Sequence, residues 1–102
     1  MMIVYNVTCN LEASMAEEWL QWMRTEHIPE VMATGCFIDH KIMRLMTEAD
    51  GNEGINYAIQ YTAESLDHYH RYRDVHGPAL QKKTRERYGE RILAYRSLLE
   101  LL

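Results

Sequence analysis

One pattern, Arg-x-x-His-x-Pro, occurs twice in this chain and constrains its fold more than any other feature. It spans residues 24–29 and returns 49 residues later, at 73–78. Each copy ends a stretch that is rich in large apolar residues at helical spacing, and each is followed by a glycine and then by a strand-like stretch. The repetition predicts two strand–helix–strand halves that are related by a pseudo-two-fold axis.

The elements of the first half follow from its side-chain pattern. Residues 2–9 alternate and are rich in Val, Ile, Tyr and Thr, which predicts a strand. Ser14, with Glu17 three residues later, matches a capping box and predicts the start of a helix. Pro29 is expected to begin a further helical turn, since the first turn of a helix lacks a partner for its N–H groups, and Gly35 is expected to end it.

Two further strands are predicted on either side of a turn. Residues 36–47 alternate along their whole length, and residues 55–62 place Ile and Tyr side chains on one face and mostly polar side chains on the other. Between them, residues 50–54 read Asp-Gly-Asn-Glu-Gly, which predicts a hairpin loop.

The second half repeats the scheme of the first. Ser65 is the expected N-cap of a helix that runs to about Val75. Residues 77–78, Gly-Pro, are expected to break this helix and restart it, and Gly89 to end it. Residues 91–101 then form the last predicted strand.

The order βαββαβ predicts the ferredoxin-like α+β fold, a four-stranded antiparallel sheet with two helices on one face. Helices on one face leave the other face uncovered, yet the strands carry large apolar residues on both parities. On the two parities of the second strand lie Phe37, Met43 and Leu45 against Ile38, Ile42 and Met46, and the last strand is similar. We therefore expect a homodimer in which two sheets pack face to face.

Composition narrows the classes of protein. A chain of 102 residues predicts a single domain, residues 1–102. The net charge of −4 gives nucleic acid no overall attraction, and no apolar stretch approaches the length of a membrane span. Cys9 and Cys36 form no disulfide framework or metal motif, which favours a cytoplasmic protein without a metal site.

Four segments carry a resemblance to known proteins. They are Ile3-Val-Tyr-Asn-Val-Thr8, Trp19-Leu-Gln-Trp-Met23, residues 27–35 (His-Ile-Pro-Glu-Val-Met-Ala-Thr-Gly) and Gln60-Tyr61. From end to end the chain resembles a small bacterial single-domain family of unknown function. Its helix–His-x-Pro–helix–Gly–strand arrangement is also similar to antibiotic-biosynthesis monooxygenases of the dimeric α+β barrel superfamily, in which two ferredoxin-like domains join their sheets. The resemblance implies this fold and a homodimer, without an established activity.

Heme-degrading members of that superfamily suggest one candidate site. They have an asparagine early in the first strand and a histidine at the end of the second helix, positions that Asn6 and His76 match, while Tyr69 or Tyr72 stands in place of a tryptophan. The resemblance thus implies heme as the alternative to no cofactor. Because His27 occupies the same place in the first half, we instead expect both histidines to serve helix-end packing.

Other polar residues on the strands are candidates for a ligand site. His40 and Arg44 share a strand face with apolar neighbours, where Arg44 could anchor a carboxylate in a cavity. Alternatively, the pair forms a polar network across a dimer or lies in water near a strand end. Gln60 and Asn6 need partners if buried, and a mutual hydrogen bond explains them as well as a substrate does.

The sequence thus predicts a homodimer that binds a small molecule or another protein, without demonstrated catalysis. The alternative is a monooxygenase or heme-degrading enzyme of the dimeric α+β barrel type. The two hypotheses differ in one structural feature. An enzyme needs an open cavity that Asn6, His40 or His76 lines, whereas an interaction module has these groups paired and the cavity closed.

Overall fold

The computed structural model describes residues 1–47 and 54–102. Apart from Gly54, the hairpin loop predicted at residues 50–54 lies outside the described residues. The strands and helices, in chain order, are β1 (Ile3–Leu11), α1 (Ala16–Trp22), α2 (Ile28–Ala33), β2 (Asp39–Arg44), β3 (Ile55–Ala63), α3 (Leu66–Arg71), α4 (Gly77–Tyr88) and β4 (Leu93–Glu100).

These four strands form an antiparallel sheet in the order β2-β3-β1-β4. The two central strands pair along their full length, with Tyr5 opposite Tyr61 and Asn6 opposite Gln60. β2 and β4 lie at the two edges. The predicted ferredoxin-like βαββαβ fold is therefore confirmed, and the helices cover one face of the sheet.

Each Arg-x-x-His-x-Pro motif forms the same backbone feature, a π-helical turn that ends at the histidine. Met23–His27 joins α1 to α2, and Tyr72–His76 joins α3 to α4. The turn is closed by a hydrogen bond from the N–H of Ile28 to the carbonyl of Met23, five residues back. A proline two residues after the histidine lacks an N–H donor and crowds the carbonyl four residues before it, which a widened turn relieves. The repeat thus encodes a kink of the same kind in both halves.

The predicted helix starts and breaks need two corrections. The Ser14–Glu17 capping box is wrong, because Ala13–Met15 forms a 3-10 turn and α1 begins after it without a side-chain cap. The break at Gly77 is also wrong, since the backbone stays helical through the π turn into α4. In contrast, Ser65 does cap α3, where its Oγ accepts from the N–H of His68 at 3.3 Å.

The strand bounds also differ from the predicted ones. β2 is half as long as the predicted run 36–47, because Cys36 and Phe37 are buried in the connection that leaves α2. β4 begins at Leu93 rather than at residue 91, because Gly89–Arg91 forms a 3-10 turn. β1 continues to Leu11, which pairs with Ile55. Alternation by itself does not mark where a strand leaves its sheet partner.

The two faces of the sheet have different surroundings. On the helix-covered face, Tyr5, Ile59 and Tyr61 are buried together with Trp19 from α1 and Val31 from α2. The opposite face, which we call the open face, carries the alternate residues of each strand. On the edge strands it exposes Met43, Leu93, Tyr95 and Leu99. No helix in the described part of the chain has the length and apolarity that crossing a membrane requires.

Candidate functional site

A cavity of about 580 Å³ lies between the helices and the sheet, inside one protomer. We call it the α4–sheet cavity. Trp19 of α1, Met23 and residues of α4 line it on the helical side, and β1, β3 and β4 line it on the other. Of its lining residues, Arg85 on α4 and Ala94 on β4 are exposed. The cavity therefore opens between α4 and β4, at the β4 edge of the sheet.

The floor of the cavity is aromatic. The ring of Tyr5 lies 6.1 Å from that of Tyr61 and 5.8 Å from that of Tyr72, and all three residues line the cavity. Burial raises the pKa of Tyr61 and of Tyr72, so both phenols stay protonated near neutral pH. Among the described residues, the buried hydroxyl of Tyr61 has no hydrogen-bond partner. An unpaired buried hydroxyl is uncommon in proteins and marks a place where a ligand or a water is expected.

His27 reaches the cavity because the first π turn ends there. Its ring stacks on Trp22, with centroids 5.0 Å apart and an interplanar angle of 25°. Burial lowers the pKa of His27, Glu30 partly opposes this effect, and the cation Arg96 adds to it. A neutral imidazole can accept a proton or a hydrogen bond from a ligand.

Arg96 brings a positive charge to the mouth of the cavity. Its position on β4 is opposite Val7, so it lies on the helix-covered face. Its Nε donates to the hydroxyl of Tyr5 at 3.2 Å. Within the described ranges, neither Arg96 nor Arg85 has a carboxylate at ion-pair distance. The terminal nitrogens of Arg96 thus have no anionic partner in the described part of the protomer.

Cys9 also lines the cavity, but as an apolar wall. Burial raises its pKa to about 11, which keeps it a thiol near neutral pH and makes it a poor nucleophile. Over residues 1–47 and 54–102, no cluster of His, Cys, Asp or Glu is arranged to hold a metal ion. The cavity is therefore suited to bury an apolar molecule and to make hydrogen bonds to its polar atoms.

The structure brings two of the predicted site residues together, on the open face and away from the cavity. Gln60 Nε2 donates to Asn6 Oδ1 at 3.3 Å, and Asn6 Nδ2 donates to Thr8 Oγ1 at 3.0 Å. Asn6 also lies 3.4 Å from the hydroxyl of Ser97 on β4. The mutual hydrogen bond considered for Asn6 and Gln60 is therefore present, and it forms part of a polar network across three strands.

Apart from Tyr72, the other predicted site residues lie outside the lining of the cavity. His40 and Arg44 are exposed on the edge strand β2, at the far side of the sheet from β4. Tyr69 packs behind the floor, with its ring 5.2 Å from that of Tyr5. The Nε2 of His76 is buried, without a hydrogen-bond partner among the described residues.

A heme held between Asn6 and His76 does not fit this arrangement. Asn6 bonds to its neighbours on the open face, whereas His76 belongs to the helical layer on the opposite side of the sheet. The sheet itself separates the two residues, so they cannot flank one cofactor within the protomer.

Sequence reasoning overlooked the residues that line the cavity mouth. Arg96 is the one charged residue of the stretch 92–99, between Tyr95 and Ser97, and a lone cation on a strand was a usable signal. Gln81, Thr84 and Arg85 recur on one side of α4 at helical spacing, but they read as a solvated face because charged residues surround them.

Residues 2–102 match the model of the family described as "Domain of unknown function (DUF4286)". The chain belongs to this family. The predicted membership of a family of unknown function is thereby confirmed. No curated protein matches the chain.

Solved structures share the fold at low sequence identity. An ethyl tert-butyl ether d (EthD) family protein from Bacillus halodurans aligns with a TM-score of 0.73 and 16% identity over 100% of both chains. A dimeric ferredoxin-like protein of unknown function from Jannaschia gives 0.64 and 15%, covering 99% of this chain and 100% of that one. SnoaB from Streptomyces nogalater, a cofactor-independent oxygenase, gives 0.66 and 13%, covering 99% and 93%. These likenesses establish the dimeric α+β barrel type of fold and no activity.

Proposed function

We propose that the protein is a homodimeric small-molecule-binding domain whose ligand occupies the α4–sheet cavity. The observation that carries this proposal is the cavity itself, which combines an aromatic floor with an open mouth. Its volume lies within the range of about 300–1,000 Å³ that ligand pockets occupy. We further propose that residues 1–102 act as one domain and that the protein is cytoplasmic, as its two free cysteines suggest.

The open cavity favours ligand binding over a role as an interaction module. Of the two features that were expected to distinguish an enzyme from an interaction module, the cavity shows one, because it is open rather than closed. It does not show the other, because neither Asn6, His40 nor His76 lines it. The ligand-binding proposal therefore rests on residues other than Asn6, His40 and His76.

A screen for small molecules that raise the melting temperature tests this proposal. We expect ligands that stabilise the wild type but not the variant Ala94→Trp, because Ala94 lines the mouth and an indole would fill it. Ala79→Trp is the matched control, since Ala79 is exposed on α4 outside the cavity lining. The proposal fails if no compound stabilises the wild type, or if all of them stabilise Ala94→Trp equally.

The homodimer is proposed to form through the open face. Two solved structures with this fold are described as dimeric ferredoxin-like proteins. The open face of β4 carries Leu93, Tyr95 and Leu99, of which Tyr95 is 69% exposed. Exposed apolar side chains that recur along one face of a strand are typical of a surface that another chain covers. The polar network of Asn6 and Gln60 would then lie at the centre of the interface.

Two adjacent leucines of β4 give a matched test of this interface. Leu99 faces the open side at 46% exposure, and Leu98 faces the helix-covered side at 44%. We expect Leu99→Glu to dissociate the dimer, because a carboxylate would be buried without a partner, while Leu98→Glu leaves the dimer intact. Light scattering at micromolar concentration measures the mass. A wild-type monomer, or equal effects of the two substitutions, would contradict the proposed interface.

A second candidate function is oxygenation of a cavity-bound substrate. SnoaB is described as a cofactor-independent oxygenase. Another solved structure with this fold, from Shewanella loihica, is described as a "putative monooxygenase". His27, the imidazole of which is kept neutral, faces the same cavity as the aromatic floor and could take a proton from a bound phenol. Oxygen consumption with phenolic ligands from the screen, lost in His27→Gln, would support this candidate. Ligands that bind without consuming oxygen would remove it.

A further inference from the structure

The mouth of the α4–sheet cavity holds an excess of positive charge that the protomer itself does not neutralise. Among the described lining residues, the charged side chains are Arg85, Arg96 and Glu90, because the imidazole of His27 is held neutral by burial. Two cations against one carboxylate leave one net positive charge. Within the described residues, the Arg96 side chain donates its hydrogen bond through Nε, so both terminal nitrogens are available to a ligand.

The aromatic floor of the same cavity favours an apolar group rather than a charged one. Tyr5, Tyr61, Tyr72 and Trp19 line it, and aromatic rings favour a flat apolar body through area burial and stacking. Tyr61 also has a buried hydroxyl without a partner among the described residues, at 2% exposure of the residue. A protonated phenol can donate to one acceptor atom on that body.

We propose that the ligand of the α4–sheet cavity is an amphipathic organic anion, a carboxylate attached to a flat apolar ring system, and that Arg96 is the residue that selects the carboxylate. This inference rests on the proposed function. The ring system lies on the aromatic floor, and the carboxylate lies at the mouth, where the two terminal nitrogens of Arg96 can bind it in a bidentate manner. The Nε bond to Tyr5 fixes the guanidinium beside the floor, so the charge is positioned before the ligand arrives.

Alternative ligand charges agree less well with the same groups. A cation would meet net repulsion at the mouth. A neutral ligand of the same shape would gain the stacking but not the charge-assisted hydrogen bonds, which typically contribute about twice as much as neutral ones. A small inorganic anion would gain the charge but leave the apolar floor exposed to water.

A pair of matched probes tests the inference, 2-naphthoate and its neutral amide, 2-naphthamide. Both have the same ring system, and only the first is an anion. By isothermal titration calorimetry, we expect the wild-type protein to bind the naphthoate about tenfold more tightly than the naphthamide, in keeping with a hydrogen-bonded charge pair. The preference should shrink as salt is added, because the mouth is exposed to solvent.

Variants assign the preference to Arg96. We expect Arg96→Gln to abolish the preference by weakening naphthoate binding about tenfold while leaving naphthamide binding unchanged, and Arg96→Lys to retain part of it. Arg44→Gln is the matched control. Arg44 is an exposed arginine on the same face of the same sheet, but on the opposite edge strand. Unchanged naphthamide binding also shows that the variant cavity has kept its shape.

The outcomes separate this inference from the proposed function. Equal binding of both probes to the wild type, or a preference that survives in Arg96→Gln, overturns the inference and leaves the binding cavity standing. If neither probe binds and the ligand screen finds no stabilising compound, both the inference and the proposed function are overturned. A preference lost in Arg44→Gln but kept in Arg96→Gln moves the anion site to β2 and overturns the assignment to Arg96.

Discussion

The two π turns have the same length and type of backbone turn but different surroundings. In the first, His27 lines the α4–sheet cavity and stacks on Trp22 at 5.0 Å. In the second, His76 lies outside the cavity lining, with its Nε2 buried and without a partner among the described residues. One repeated motif thus yields a cavity-facing histidine in one half and a packed histidine in the other.

The residues around each motif explain the difference. At the repeat spacing of 49, Trp22 of the first half corresponds to Arg71 of the second, which is exposed. Ile28 corresponds to Gly77, where an added Cβ would lie 3.2 Å from the carbonyl oxygen of Tyr72. The second half therefore has no ring at this position to stack on its histidine, and Gly77 lies close to the carbonyl and ring of Tyr72, the first residue of the same turn.

The comparison shows which part of the repeat belongs to the fold. The proline and the widened turn before it recur in both halves, so they belong to the common fold. The aromatic partner of the histidine does not recur. Function is therefore better sought in what differs between the halves than in what they share.

The largest expected effect is on stability, at the position where the halves differ. Trp22 is buried, stacks on His27 and meets the ring of Tyr88 edge-on at 5.3 Å, with Arg87 over its face. We expect Trp22→Ala to lower the free energy of unfolding by about 3–5 kcal/mol. The corresponding Arg71→Ala should change it by less than about 0.5 kcal/mol. Urea denaturation at one fixed protein concentration measures both.

A conservative variant controls this experiment. Trp22→Phe keeps a ring at the position and should retain most of the stability that Trp22→Ala loses. If Arg71→Ala destabilised the protein as much as Trp22→Ala, the asymmetry between the halves would not be energetic.

Most of the fold could be predicted from the sequence, because the spacing of apolar residues and the residues that begin or end helices are local signals. The Arg-x-x-His-x-Pro repeat, the alternation in β1 and β3 and the Ser65 cap all survive in the structure. Its errors fall where tertiary packing decides. Phe37 continues the alternation of β2 but turns into the aromatic cluster, 4.9 Å from the ring of Tyr72.

The candidate site was less accessible to sequence reasoning. A cavity mouth is built from distant elements, in this protein α4 and β4, and nothing local in either marks the other. Asn6 and Gln60 drew attention because polar residues on inner strands are uncommon, yet they bond to each other. Arg96 was the more informative residue, since it is the one charged side chain of the stretch 92–99 and it lines the cavity.

Truncation of the two histidines should affect stability moderately and in a similar way. We expect His27→Ala and His76→Ala each to lower the free energy of unfolding by about 1 kcal/mol, since both rings are partly buried. Only His27→Ala should also weaken the binding of cavity ligands. Loss of ligand binding in His76→Ala, at an unchanged melting temperature, would instead place a functional site in the second half.

The pH dependence of stability gives a smaller difference. Burial holds the pKa of His27 below its ordinary value of 6.5, so the unfolded chain binds a proton more readily than the native protein does. Stability then rises with pH in this range, and it falls as the pH drops below about 6.5 toward the lowered pKa. We expect His27→Gln to reduce the slope of stability against pH, as measured by urea denaturation between about pH 5 and about pH 7. An identical slope in the variant and the wild type would contradict a lowered pKa.

The smallest expected effect is that of hemin. Heme binding through the second half would require His76 to reach an iron that Asn6 also flanks, but these residues belong to opposite sides of the sheet. In titrations of the purified protein with hemin, we therefore expect no stoichiometric Soret shift that His76→Ala removes.

Hemin is itself a flat apolar ring system with carboxylates, so weak binding in the α4–sheet cavity is consistent with the anion proposal. Such binding should depend on Arg96 and not on His76. A tight, stoichiometric Soret shift that requires both His76 and Asn6 would reverse the comparison between the two π turns, because the functional histidine would then lie in the second half.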